Sequence, residues 1–473
     1  MKQSETSPLM DQSDGDLSPA RTQVEAHPGS AKQRSFPYRK LFWKWHLYAG
    51  LLGGPLLILI AITGALLVFS PEIDEWLRPD LWIIEPAAAE INSQPVSDQT
   101  MVETVQTRFP KETIVLYRQN QRPDQPYQFL LFGNPKEGIH DVWVNPYTGE
   151  ITADRMRETA FVRIVEQLHR RLLSGEIGSS IIELITGWGI VLTLTGCFLW
   201  WPRTAKALWN GLTLSFRGSA YKINWRLHNT VGVWVAFFVL MMCLTGMVFS
   251  TYSGKLYRSV MTATDFNKTA ATASLKSVPQ SGKSPVSIDQ LIKKVRLDLP
   301  ENVPLNVRWP RDKTGCFVIT TDRNLRPLWS DRSQFQTWTF DQYSGEQLAF
   351  SHWDDLHPMR QFSAFSMTVH YGSIFGLPTK LIALVACLGV PILAITGYLI
   401  WWWKRKGKRQ KLNQRRTQTN QTETRKNPPI PKTLFALLII VGIVFPTIGL
   451  SFLLLLAYEM IRFWYPTKST NIS

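Results

Sequence analysis

The chain has little of what usually carries soluble chemistry. It holds four cysteines in 473 residues, Cys197, Cys243, Cys316 and Cys387, and no two of them form a CxxC pair. A disulfide framework, a zinc knuckle and an iron–sulfur site are therefore unsupported. No His-Glu-x-x-His or Ser/His/Asp constellation supports protease activity. The glycine-rich stretch Gly50-Leu-Leu-Gly-Gly54 lies inside an apolar run with no strand before it. It is not a dinucleotide-binding loop, so any flavin or nicotinamide must come with a partner. Acids are scarce as well: 36 Asp and Glu stand against 52 Lys and Arg.

What is present is long apolar runs at about 47–70, 184–202, 229–251, 381–403 and 433–457. Each approaches the ~20 residues that cross a bilayer core as a helix. This predicts a multi-pass α-helical membrane protein with five spans, at 36–70, 179–202, 227–251, 377–403 and 433–460. Two polar inserts, 71–178 and 252–376, are each the size of a small domain. Residues 1–35 are polar and read as disordered, and 461–473 form a tail. The first apolar run is too long for a removed signal peptide and reads as a signal anchor.

Charge orients the chain. Residues 1–44 carry seven cations and five acids, 202–226 five cations and no acid, and 404–432 eleven cations and the acid Glu423. Together they hold +17, and the rest of the chain −1. By the positive-inside rule the N-terminus and the loops 203–226 and 404–432 are cytoplasmic, and both inserts face outward. In a bacterium this is the inner membrane, with periplasmic inserts. The basic run 404–416 is read as a topology signal in contact with lipid, not as a nucleic-acid surface.

The chain also repeats itself. Aligning His46 with His228 sets Trp43-Lys44-Trp45-His46 on Trp225-Arg226-Leu227-His228, and Thr63-Gly64 on Thr245-Gly246, 17 residues after each histidine. Aligning His169 with His370 sets Thr195-Gly196 on Thr396-Gly397 and Trp200-Trp201 on Trp401-Trp402. In the inserts, the segment from Val144 to Glu150 matches that from Phe340 to Glu346. The expectation is a duplicated parallel two-span repeat, about 41–203 and 222–404, forming a four-helix bundle with the fifth span outside its symmetry.

Four of the eight histidines occupy repeated positions. His46 and His228 fall at one depth, His169 and His370 at the other. Facing histidines on neighbouring helices suit the two axial positions of a haem iron. The plainer alternative is interfacial histidines bonded to backbone or headgroups. A zinc site is disfavoured, because two ligands meet at each level and no carboxylate repeats beside them. Breaks at the segment 174–178 and at Gly376-Leu377-Pro378 are expected to leave the outer pair at or above the membrane interface.

Both inserts read as α+β, with short strand-like runs such as Tyr127–Phe132 and Gly315–Thr320. Their Trp143, Trp309, Trp329 and Trp338 read as core. His352 and His357 lack counterparts in the first copy and read as a solvated loop, with a transient iron contact as the alternative.

The Trp-x-x-His opening of a span, the run Leu168-His169-Arg170-Arg171-Leu172-Leu173, and Thr-Gly-x-x-x-Trp-Trp resemble the PepSY-associated transmembrane helix family. The Tyr-Thr-Gly-Glu and Tyr-Ser-Gly-Glu segments resemble closing strands of PepSY-type domains. The resemblance covers about 36–405 and implies two α+β PepSY-like outer domains. It also implies b-type haem, two groups, on His46, His228, His169 and His370, and a role in iron acquisition. The implied function is electron transfer to a ferric siderophore or other ferric chelate, with quinol or a cytoplasmic flavin or nicotinamide reductase as donor. The competing reading is a non-redox transporter, sensor or peptidase regulator carrying PepSY modules.

Overall fold

The computed structural model describes residues 38–84, 94–120, 122–135, 138–264, 275–280, 282–300, 303–321 and 335–415, with scattered positions beyond 435. The expected disordered N-terminus, Trp329 and most of the expected fifth span fall outside these described residues.

Helix α1 (Tyr38–Val68) leads into two short helices, α2 (Ser70–Leu77) and α3 (Pro79–Trp82), and then α4 (Asp98–Arg108). Strands β1 (Thr113–Arg118), β2 (Tyr127–Phe132), β3 (Ile139–Val144) and β4 (Ile151–Met156) follow. The chain returns through α5 (Phe161–Arg171) and α6 (Gly175–Trp200), and α7 (Ala205–Leu212) links to α8 (Ala220–Met247). The second insert contains α9 (Tyr252–Thr264), α10 (Ile288–Val295) and strands β5 (Leu305–Arg308), β6 (Cys316–Thr321), β7 (Gln336–Asp341) and β8 (Gln347–His352). Helices α11 (Pro358–His370) and α12 (Leu377–Arg415) close the described chain.

Among the described residues four helices are long and apolar enough to cross a membrane: Arg39–Val68, Gly175–Trp200, Ala220–Met247 and Leu377–Gly407. They form a ring in which α1 and α8 each touch both α6 and α12. Helix α6 starts at Gly175, earlier than the apolar run alone suggests, because a buried carboxylate lies within its first turns. Glu183, 1 % exposed, accepts from the Tyr252 and Ser253 amides at 2.7 and 3.0 Å and from Ser253 Oγ at 2.6 Å. It caps the free amides at the N-terminus of α9, the end of a helix that favours negative charge. In α1, Pro55 has no amide to donate to the carbonyl four residues back, and that carbonyl, Leu51 O, accepts from Tyr398 Oη of α12.

The strands of both inserts join in one antiparallel eight-stranded sheet, ordered β4-β3-β2-β1-β5-β6-β7-β8. The central seam pairs Leu116 with Arg308 and Arg118 with Asn306. Alternate residues point to one face, so Phe129, Leu131, Val142, Val144, Phe317, Ile319, Trp338 and Phe340 share a buried core with Met101 and Val105 of α4 and Leu291 and Val295 of α10. Trp143 and Trp338 are fully buried, and Trp309 packs at the edge of the core. The opposite face of β1–β4 carries Arg118, Gln128, Asp141 and Arg155, which line a cavity running into the bundle.

A polar pin ties this half together. His140 on β3 lies 3.0 Å from Glu112 and 2.9 Å from Asp154 of β4. Burial opposes its charge, but the hydrogen bonds to Asp154 and Glu112 outweigh that and raise its pKa above the ordinary value. His352 ends β8 on the surface, while His357 caps α11, its Nδ1 accepting from the Met359 amide at 3.3 Å. His357 is thus spoken for structurally.

Candidate site: two histidine pairs in the helix bundle

The repeated histidines come together by level. His46 of α1 faces His228 of α8 with ring centroids 6.3 Å apart and planes at 89°. His169 of α5 faces His370 of α11, also at 6.3 Å, with planes at 55°. The 17 residues from His46 to Thr63, the level of the second pair, correspond to about 25 Å along the helix.

The second pair lies at the level of Thr63 in α1 and Thr245 in α8. Helix α5 stops at Arg171, and Leu172 and Leu173 take left-handed backbone, φ 49° and 55°, an unfavourable conformation for residues with a Cβ. Gly372 takes φ 66° after α11. These reversals tuck each imidazole back between helices: His169 lies against Gly64 of α1, and His370 against Gly246 of α8.

The Thr-Gly dipeptides, recognised above only as markers of repetition, are the other half of the site. Nδ1 of His46 lies 3.0 Å from Thr195 Oγ1, and Nδ1 of His228 lies 3.0 Å from Thr396 Oγ1. Nδ1 of His169 lies 3.0 Å from Thr63 Oγ1, and that of His370 3.3 Å from Thr245 Oγ1. Each threonine has committed its own proton. The hydroxyls donate one turn back, to Leu59 O at 2.7 Å, Val191 O at 2.6 Å, Met241 O at 2.7 Å and Ile392 O at 2.6 Å. Their oxygens can then only accept, which puts the imidazole proton on Nδ1. Backbone carbonyls agree, with Ile60 O 3.0 Å from His169 Nδ1 and Met242 O 3.0 Å from His370 Nδ1. All four rings thus keep an unprotonated Nε2, the form that binds metal.

The glycine of each dipeptide makes room for the ring. A Cβ on Gly64, Gly196, Gly246 or Gly397 would stand 3.2, 3.1, 2.9 or 3.4 Å from the facing imidazole Cε1. Every threonine and glycine holds the histidine of the partner span in its own hairpin. The hairpins thus offer prepared ligands across the gap between them.

That gap is a cavity of about 1590 Å³ lined by all four histidines, with Gly50, Gly232 and Cys243 between the levels. A single small-molecule pocket is typically ~300–1,000 Å³. Among the described residues no group of three or more His, Cys, Asp or Glu side chains is placed to hold a bare metal ion. A porphyrin iron needs only two protein ligands, since the macrocycle supplies four. Two imidazoles bonded through Nε2 to one metal at about 2.0 Å have centroids roughly 6.3 Å apart. Both pairs fit that separation.

The PepSY-associated TM region family matches residues 43–405. The chain belongs to this family. The matched segment contains all four histidines and all four Thr-Gly dipeptides, so the site belongs to the family region as a whole. Among curated proteins no match is found for this chain.

Proposed function

We propose that the protein is a membrane electron-transfer protein that holds two b-type haems, one on His46 and His228 and one on His169 and His370. In this reading the chain is a tandem duplication of a two-span unit, and its N-terminus and basic loops are cytoplasmic. The sheet is periplasmic, and the membrane is the bacterial inner membrane. Electrons arrive from quinol or from a cytoplasmic flavin or nicotinamide reductase. They leave at the sheet end to a ferric siderophore or another ferric chelate. One electron converts ferric to ferrous iron, which hard oxygen donors hold much less strongly, and the metal is released for uptake.

The observation that carries the reading is the pair of 6.3 Å separations between imidazoles whose Nδ1 protons are already placed. Haem, when bound, supplies reversible one-electron storage. The chain would hold it through Nε2 of the four histidines, whose Nδ1 atoms Thr63, Thr195, Thr245 and Thr396 engage to fix the tautomer.

Optical spectra of protein purified from haem-replete cells test this. The expected result is a Soret band with split reduced α-bands and about two haems per chain, falling to about one in His46→Ala and in His370→Ala. Colourless wild-type protein removes the redox reading and leaves the non-redox sensor, transporter or peptidase-regulator reading. Two haems retained in both variants would show that the ligands are elsewhere.

A further inference from the structure

The link between the two hairpins is not built like a solvated loop. Pro202 ends α6 after Trp201, whose ψ of 115° has already left the helical range, as the residue before a proline prefers. Thr204 Oγ1 then accepts from the Ala207 amide at 3.2 Å and starts α7. The eight residues of α7 carry one charge, Lys206, and none of them is buried by protein. Trp209 is 69 % exposed, Leu208 is exposed beside it, and past the helix Phe216 is 70 % exposed. Nothing corresponds in the second half, where α12 runs on as helix from Trp401-Trp402 to Arg415.

The far end of α7 is bonded to a span. The last carbonyls of a helix lack partners within it. Here Gly211 O accepts from Thr230 Oγ1 at 3.1 Å, and Leu212 O from the Trp234 indole Nε1 at 3.0 Å. Thr230 and Trp234 stand two and six residues past His228 on α8, so the end of α7 lies against the first turns of the apolar run 229–251. On its other side Gly211 packs on Trp200 at the end of α6, where a Cβ would stand 2.9 Å from the indole nitrogen. Leu208 and Trp209 lie within one turn of these contacts, so their exposed apolar surface is next to the membrane and not free in water. A helix lying in the interface typically sinks its apolar face ~5–10 Å into the boundary of headgroups and acyl chains. Charge completes the pattern. Arg203, Lys206, Arg217, Lys222 and Arg226 surround the link, and no acid occurs between 202 and 226. Arg226 donates to Ser215 Oγ at 3.0 Å and to Arg217 O at 2.9 Å. The other four are exposed and have no carboxylate partner among the described residues. A second copy of the chain docked here about a twofold axis would set these same cations against each other and be repelled.

We propose that α7 and the segment running on to Phe216 form an interfacial site for an anionic phospholipid, whose acyl chains pack on Leu208, Trp209 and Phe216 and whose phosphate is held by Arg203 and Lys206. The bound lipid braces the link between the hairpins beside Trp200, which lines the cavity. The leaflet it comes from follows the proposed orientation, whereas the site itself is independent of that orientation and of the haem reading.

The test uses full-length protein in nanodiscs of equal parts phosphatidylglycerol and phosphatidylcholine. The photoreactive residue p-benzoylphenylalanine is placed at Leu208 or, separately, at Trp209, and the adducts formed on irradiation are read by intact mass. The expected result is phospholipid adducts at both positions, with phosphatidylglycerol exceeding phosphatidylcholine about fivefold or more. Adding Arg203→Gln with Lys206→Gln should keep the adducts and the helical circular dichroism but bring the two lipids to equal yield. Crosslinks to a second copy of the chain in place of lipid, or no lipid adduct at either position, overturn the site. Equal yields of the two lipids without the double substitution also overturn it, because acyl contact alone does not select charge. A preference that survives the double substitution overturns the assignment of the phosphate to Arg203 and Lys206.

Discussion

Each imidazole in the bundle is oriented by a threonine that has given its own proton to the helix behind it. That arrangement is cheap at a membrane helix, where the Thr hydroxyl finds the carbonyl one turn back without a partner side chain. Thr63→Val keeps shape and removes the acceptor, so the sheet-end ring loses half of what fixes its tautomer. Loss of such a partner typically weakens metal binding by about 10- to 100-fold. On the two-haem proposal, haem transfer to excess apomyoglobin should accelerate by about that factor for one haem; an unchanged rate would mean the hydroxyl contributes nothing. The glycines predict a graded series. A Cβ at Gly246 would stand 2.9 Å from the His370 ring, and one at Gly397 3.4 Å from the His228 ring. Gly246→Ala should displace its ring and cost about 1–3 kcal/mol as overpacking, while Gly397→Ala stays close to wild type. Thermal melts followed by helical circular dichroism compare the two directly.

At the scale of elements, α5 and α11 end just before backbone reversals and set the sheet-end pair beside Thr63 and Thr245. Helix propensity and apolar runs place the breaks nearly correctly, but the left-handed turn at Leu172 and Leu173 sends His169 inward. In the sheet, β3 and β4 are pinned by His140 between Glu112 and Asp154. Because the folded His140 has a raised pKa, its contribution is complete below the unfolded value of about 6.5 and disappears as pH rises through the folded value. Hydrogen exchange at the β3 and β4 amides should therefore speed up as pH increases beyond what base catalysis explains. The excess should vanish in His140→Gln, and its persistence there would assign the effect to another group.

At the scale of the whole molecule, two hairpins face each other around a cavity that reaches from one end of the bundle to the other, under a sheet that both inserts share. The proposed orientation rests on the distribution of charge. A reporter active only outside the cytoplasm should work when fused after Arg311 in the second insert and fail when fused after Gly211 in the first basic loop. The opposite pattern would invert the proposed electron path.

Much of this was legible in the residues alone. Apolar runs of the right length specify spans, since an unpaired backbone cannot lie in lipid, and all four described spans fall on such runs. Repetition at fixed offsets singled out His46, His169, His228 and His370 and grouped them by depth, because a helix converts sequence spacing into height. What spacing along a chain does not convey is which groups meet across helices. The pairing of Thr63 with His169, 106 residues apart, and of Thr195 with His46, 149 apart, is a product of packing. So is the fusion of two inserts into one sheet, where strand edges that sequence leaves open are joined at β1 and β5. The repeated histidines were given by the order of residues; their shared separation and the threonine partners of their Nδ1 atoms were decided by how the helices close on each other.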